Sequence, residues 1–210
     1  MPRESASLID RKPGWAPGLF WALAILTAAP IWWLVALPVI ETGAVSHGAH
    51  ALEVTLHAVG GTLMLTAGAL ALYVGWTRRG FGLHRWIGYT YLLGGGAGAA
   101  MGLALSLMAP HKPIGTAAAT GTLAAVWLAV AAMAWRAARN RRFEAHREWV
   151  IRSYVLTWTF VFCRMVMRLP ALADAGGETI VATIWATWIL PLVLCEIALN
   201  WNRTGPMQRQ

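Results

Sequence analysis

The sequence predicts an all-α integral membrane protein of six transmembrane helices, with both termini in the cytoplasm. Three observations carry that expectation. The 210 residues are 58% hydrophobic and only 12% charged, about half the charge of an ordinary soluble domain. Mean hydropathy is +0.53, and Gly (21), Pro (10) and Trp (13) are all frequent, as in chains that span a bilayer. The charges are mostly Arg and gather in a few short stretches between apolar runs. A soluble enzyme domain, a disordered chain and a disulfide scaffold are excluded.

A bilayer core of about 30 Å needs roughly 20 apolar residues per helix. Six segments meet that need: 17–40, 52–76, 86–109, 115–138, 149–170 and 178–201. Residues 1–16 and 202–210 are then short tails. The first segment follows Arg11 and Lys12 as a secretory signal would, but it is too long for a signal core and no small-residue cleavage site follows. It is read as retained. The short loops make consecutive helices antiparallel neighbours, so the second to fifth segments form a four-helix core bundle.

Orientation comes from the Arg/Lys count. The N-terminal tail (Arg3, Arg11, Lys12), the second loop (Arg78, Arg79, Arg85) and the fourth (Arg136, Arg139, Arg141, Arg142, Arg147) are basic. The first loop has neither Arg nor Lys, the third only Lys112, and the fifth carries Asp174 and Glu178. The net charge of +8 thus reports orientation in a lipid bilayer, not nucleic-acid binding. Trp15, Trp76, Trp86, Trp135, Trp149 and Trp201 fall near helix ends, as interfacial anchors do. Cys163 and Cys195 lie in apolar stretches and read as buried small side chains.

Glycines recur every seven residues in two segments, at Gly61, Gly68 and Gly75 and at Gly88, Gly95 and Gly102. Such a stripe faces one partner in a left-handed bundle and lets a backbone or a flat ligand come close. Helix packing alone accounts for most of them. A histidine stands four residues before the first glycine of each stripe, His57 and His84, and His111 stands four before Gly115. His146 opens the fifth segment, with Val150 in place of the glycine. Alternate helix directions put His57 and His111 at the outer face and His84 and His146 at the inner one. Each pair belongs to diagonal helices and can meet across the interior.

Two facing imidazoles suit bis-histidine ligation of haem b, with one or two haems per chain. Propionates would want cations, available inside at Arg85, Arg147 and Arg152 and outside at Lys112, Arg164 or Arg168. Arg164 lies 18 residues after His146, five turns on, and so on the same inward face. Arg168 is placed to snorkel. Glu196 needs a partner, and Arg152 at similar depth makes a structural ion pair. His47 and His50 sit in the first loop, where either could stand in for His111. The other readings of the histidines are a basic rim on anionic lipid and an exposed loop residue at His111.

The chain resembles a family of bacterial predicted membrane proteins, the domain-of-unknown-function family numbered 2306, over about residues 50–200. The likeness rests on His57 with Gly61, His84-Arg85-Trp86-Ile87-Gly88, and the run from His146 to Tyr154 with Arg164 beyond. The histidine order is also similar to that of cytochrome b561-type proteins. That resemblance implies two b haems, one on His57 and His111 and one on His84 and His146, and electron transfer across a bacterial inner membrane with a quinone or other redox partner. The ascorbate-binding motifs of that group are not matched. Two competing functions fit the same residues. One is a small-solute or proton transporter lined by His57, Arg164 and Glu196; the other is a non-catalytic membrane subunit or assembly factor.

Overall fold

The computed structural model describes residues 51–108, 114–172 and 176–201, with seven separate positions between 18 and 33. Among them lie six α-helices and no strand: α1 (Ala51–Thr77), α2 (His84–Met108), α3 (Ile114–Arg139), α4 (Phe143–Thr157), α5 (Thr159–Met167) and α6 (Gly177–Asn200). Five stretches are long and apolar enough to cross a membrane, α4 and α5 together making one of them. These are the second to sixth segments of the sequence. The continuous course of the first segment, both tails, His47, His50, His111 and Lys112 lie outside the described residues.

The helix ends follow from local chemistry. At the end of α1, Arg78 adopts the left-handed region (φ 57°) and its N–H donates to the Val74 carbonyl at 2.9 Å, a one-bond left-handed cap. Gly80 (φ 66°) then turns the chain into a short 3-10 turn, Phe81–Leu83, that leads into α2. At the end of α3, Arg141 (φ 57°) donates to Ala138 and Arg142 donates to Ala137, at 3.0 and 2.9 Å. That is the double-bonded Schellman arrangement with arginine where glycine usually sits. Each left-handed arginine costs about 1–2 kcal/mol of backbone strain.

Helix α4 starts at Phe143, six residues before the apolar window at 149. The stretch from Glu144 to Glu148 is helical but polar, so hydropathy passes over it. His146 therefore lies inside a first helical turn. The helix tightens at Trp158, whose N–H donates to Val155 at 3.2 Å, and α5 continues from there.

Contacts run from α1 to α2, α2 to α3, α3 to α4 and α4 back to α1, while α6 packs on α3, α4 and α5. Trp127, Leu123, Leu156, Tyr91, Met64 and Trp188 fill the core. The closest backbone approach is between α1 and α2. A Cβ on Gly60 would lie 2.6 Å from the Gly94 carbonyl and 2.8 Å from the Gly98 nitrogen. Small residues at this crossing let the helices touch, the main source of association where lipid offers no hydrophobic drive. Trp76, Trp86, Trp135 and Trp201 are exposed at the helix ends, as interfacial anchors require.

Candidate functional site

The glycine stripes are seats for rings rather than backbone contacts. A Cβ on Gly75 would press on the His84 ring at 3.2 Å, and one on Gly102 would press on the His57 ring at 3.1 Å. Gly68 faces the rings of Tyr154 and Tyr91, and Gly95 faces the tip of Trp127. Gly61 and Gly88, the glycines one turn from each histidine on its own helix, have open space instead. Each imidazole thus seats on the neighbouring antiparallel helix. The backbone crossing at Gly60, Gly94 and Gly98 lies off the seven-residue stripes, which is why spacing did not pick it out.

At the Arg-rich end of the interior, His84 and His146 meet. Their ring centroids are 6.3 Å apart and their planes perpendicular (89°). His84 opens α2, stacked on Phe81 at 5.2 Å, and its Nδ1 is buried with no hydrogen-bond partner. His146 Nδ1 lies 2.9 Å from the Ala134 carbonyl of α3. A carbonyl only accepts, so this nitrogen carries the proton, and the neutral ring keeps Nε2 as a bare lone pair. A hydrogen bond of this kind from the other ring nitrogen is what orients a metal-ligating histidine. Among the described residues no group of three His, Cys, Asp or Glu converges.

At the other end, His57 Nδ1 donates to the Gly98 carbonyl at 2.8 Å, and its ring meets Phe160 edge-on at 5.3 Å. Its expected partner His111 is outside the described residues.

Between the two ends lies a cluster that sequence reasoning missed. Tyr91 Oη is 3.0 Å from Ser153 Oγ and 3.1 Å from Thr157 Oγ1, and Trp127 Nε1 donates to Thr157 Oγ1 at 3.3 Å. Tyr91 and Ser153 stand seven residues after His84 and His146, two turns along the same faces. That shared offset was the signal available in the sequence.

The arginines separate. Arg152 binds Glu196 through both its Nε and Nη2, the latter at 3.0 Å, and Glu148 lies 3.6 Å away. This is the ion pair that depth alone suggested, and it ties α4 to α6. Arg152 is therefore engaged away from the histidines. Arg85 is exposed and donates to Tyr89 on its own helix at 3.1 Å. Arg164, expected to look inward, is exposed: α5 restarts after the break at Trp158, and a long stem near a helix end lets a charge reach polar surroundings. Arg168 stacks on Trp33 at 4.2 Å. Arg147, next to His146, lies over Trp76, the neighbour of Gly75, at 4.3 Å.

Several long apolar helices with polar side chains turned inward define a multi-pass membrane protein. Its sequence matches the family model described as Predicted membrane protein (DUF2306) over residues 54–199, and the chain belongs to that family. No curated protein and no solved structure matches it.

Proposed function

We propose that His84 and His146 would hold a b-type haem and that the protein carries electrons within or across a bacterial cytoplasmic membrane, exchanging them with a quinone or another redox partner. The observation that supports this most is the perpendicular imidazole pair at 6.3 Å. Two metal–nitrogen bonds of about 2 Å, with the ring half-widths added, come to roughly 6 Å. The donor set fits as well. Two imidazoles with no third side-chain ligand among the described residues leave a tetrahedral zinc site incomplete, whereas a haem would need only these two from the protein.

The haem would supply one-electron redox chemistry. The chain's residues do the rest. Ala134 fixes the His146 tautomer, Gly75 admits the His84 ring, and Phe81 covers that ring's face. Tyr91 and Trp127 close the interior two turns deeper, so the site belongs to the Arg-rich end. A second haem on His57 and His111 is the two-site version of the same reading.

The test is an optical spectrum of protein purified from cells supplied with haem. A Soret band with redox-sensitive α-bands is expected, lost on His84→Ala or His146→Ala and kept on His57→Ala if the inner site stands alone. Half the haem lost on His57→Ala would establish the two-site version. Wild-type protein without a Soret band would end the proposal.

A further inference from the structure

The Arg-rich end carries a second feature, independent of any redox centre. The chain holds 15 Arg and 2 Lys. Orientation by positive charge needs only cations and is satisfied by either residue. Arginine adds a planar fork that grips a phosphate through two N–H groups. Around the end of α1, four arginines come from three elements: Arg78 and Arg79 from the turn, Arg85 from α2 and Arg147 from α4. Among the described residues the ion pairs are those of Arg152 with Glu148 and Glu196, and none involves these four.

Two of them lie over aromatic rings of this corner. Arg147 sits 4.3 Å from the centroid of Trp76, and Arg78 sits 4.9 Å from that of Phe81. A guanidinium over a ring satisfies its flat face and keeps its N–H edge for another partner. Trp76 and Phe81 are themselves exposed at the ends of membrane-length helices, the level at which headgroups lie. Arg78 also holds the left-handed conformation (φ 57°) that glycine would take without strain. The charge is kept there against the backbone's preference.

We infer that this corner, formed by Arg78, Arg79, Arg85 and Arg147 with Trp76 and Phe81, is a binding site for the phosphate headgroup of an anionic phospholipid. The lipid's phosphate sits against the guanidinium N–H edges, and its chains lie along the exposed apolar flank of α1 and α2. Lipid is favoured over free phosphate because the two stacking rings hold the arginines at the interface, where a headgroup is always present.

The full chain is reconstituted in phosphatidylcholine vesicles with and without phosphatidylglycerol, thermal unfolding is followed, and retained lipid is identified by native mass spectrometry. Phosphatidylglycerol should be retained in preference and should raise the Tm. Arg147→Gln should reduce that preference about fivefold, the worth of one arginine at an anionic surface, with the Tm in phosphatidylcholine unchanged. Arg147→Lys, which keeps the charge and loses the fork, should recover only part of it. Equal Tm in the two vesicles, a lysine variant indistinguishable from wild type, or the same loss of Tm on Arg147→Gln in pure phosphatidylcholine would each overturn the inference. Inorganic phosphate reproducing the whole stabilisation would overturn the lipid assignment in favour of a soluble anion.

Discussion

Two layers of the interior, one heptad apart on α2 and α4, use the same architecture to opposite ends. In the deeper layer, Tyr91 meets Ser153 and Thr157, and Trp127 completes the group. Ser153 also donates to Val150, and Thr157 to the Ser153 carbonyl. Every polar atom there has a partner, and Ser153 and Thr157 are almost completely buried. In the layer nearer the Arg-rich end, His84 meets His146 with His84 Nδ1 left unpaired. A satisfied buried network fixes one packing, whereas an unsatisfied one costs stability and is retained for another reason. The difference separates the part that holds the helices from the part proposed to bind a ligand.

The contrast can be broken by substitutions measured as unfolding midpoints in one detergent, in haem-free protein. Trp127→Ala should cost most, about 3–5 kcal/mol, because the indole fills the notch at Gly95 and its N–H bonds Thr157. Tyr91→Phe should cost about 1 kcal/mol by removing the hydroxyl and little volume. His84→Phe should be the smallest, within about 1 kcal/mol of zero, since a nitrogen without a hydrogen bond leaves the interior while a slightly larger ring must fit the seat at Gly75. A loss at His84 as large as that at Tyr91 would make both layers structural. A negligible loss at Tyr91 would deny the deeper layer its role.

The membrane class and the five described spans were legible because an apolar run of bilayer length has no soluble explanation. The His84–His146 encounter was legible too, since two imidazoles at the starts of alternate helices, which run in the same direction, fall at the same end. The start of α4 was not, because its first turn is charged and hydropathy averages it away. The glycine seats were misread by one helix: spacing pairs His57 with Gly61, but side chains tilt off their own axis and reach Gly102 on the neighbour. Arg164 went astray for a related reason, since helical phase carries across Trp158 only if the ladder is regular, and there it tightens. The Tyr91 cluster was silent because tyrosine, serine, threonine and tryptophan are ordinary residues in any membrane helix until their hydroxyls are seen to converge.

The reciprocal seating of His57 on Gly102 and of His84 on Gly75 has a mechanical corollary. Sliding α1 past α2 by a single turn would unseat a ring at each extremity and drive the Gly60 crossing into bulkier neighbours. The hairpin therefore resists shear as one plate. Any change in the separation of His84 and His146 therefore falls to α4.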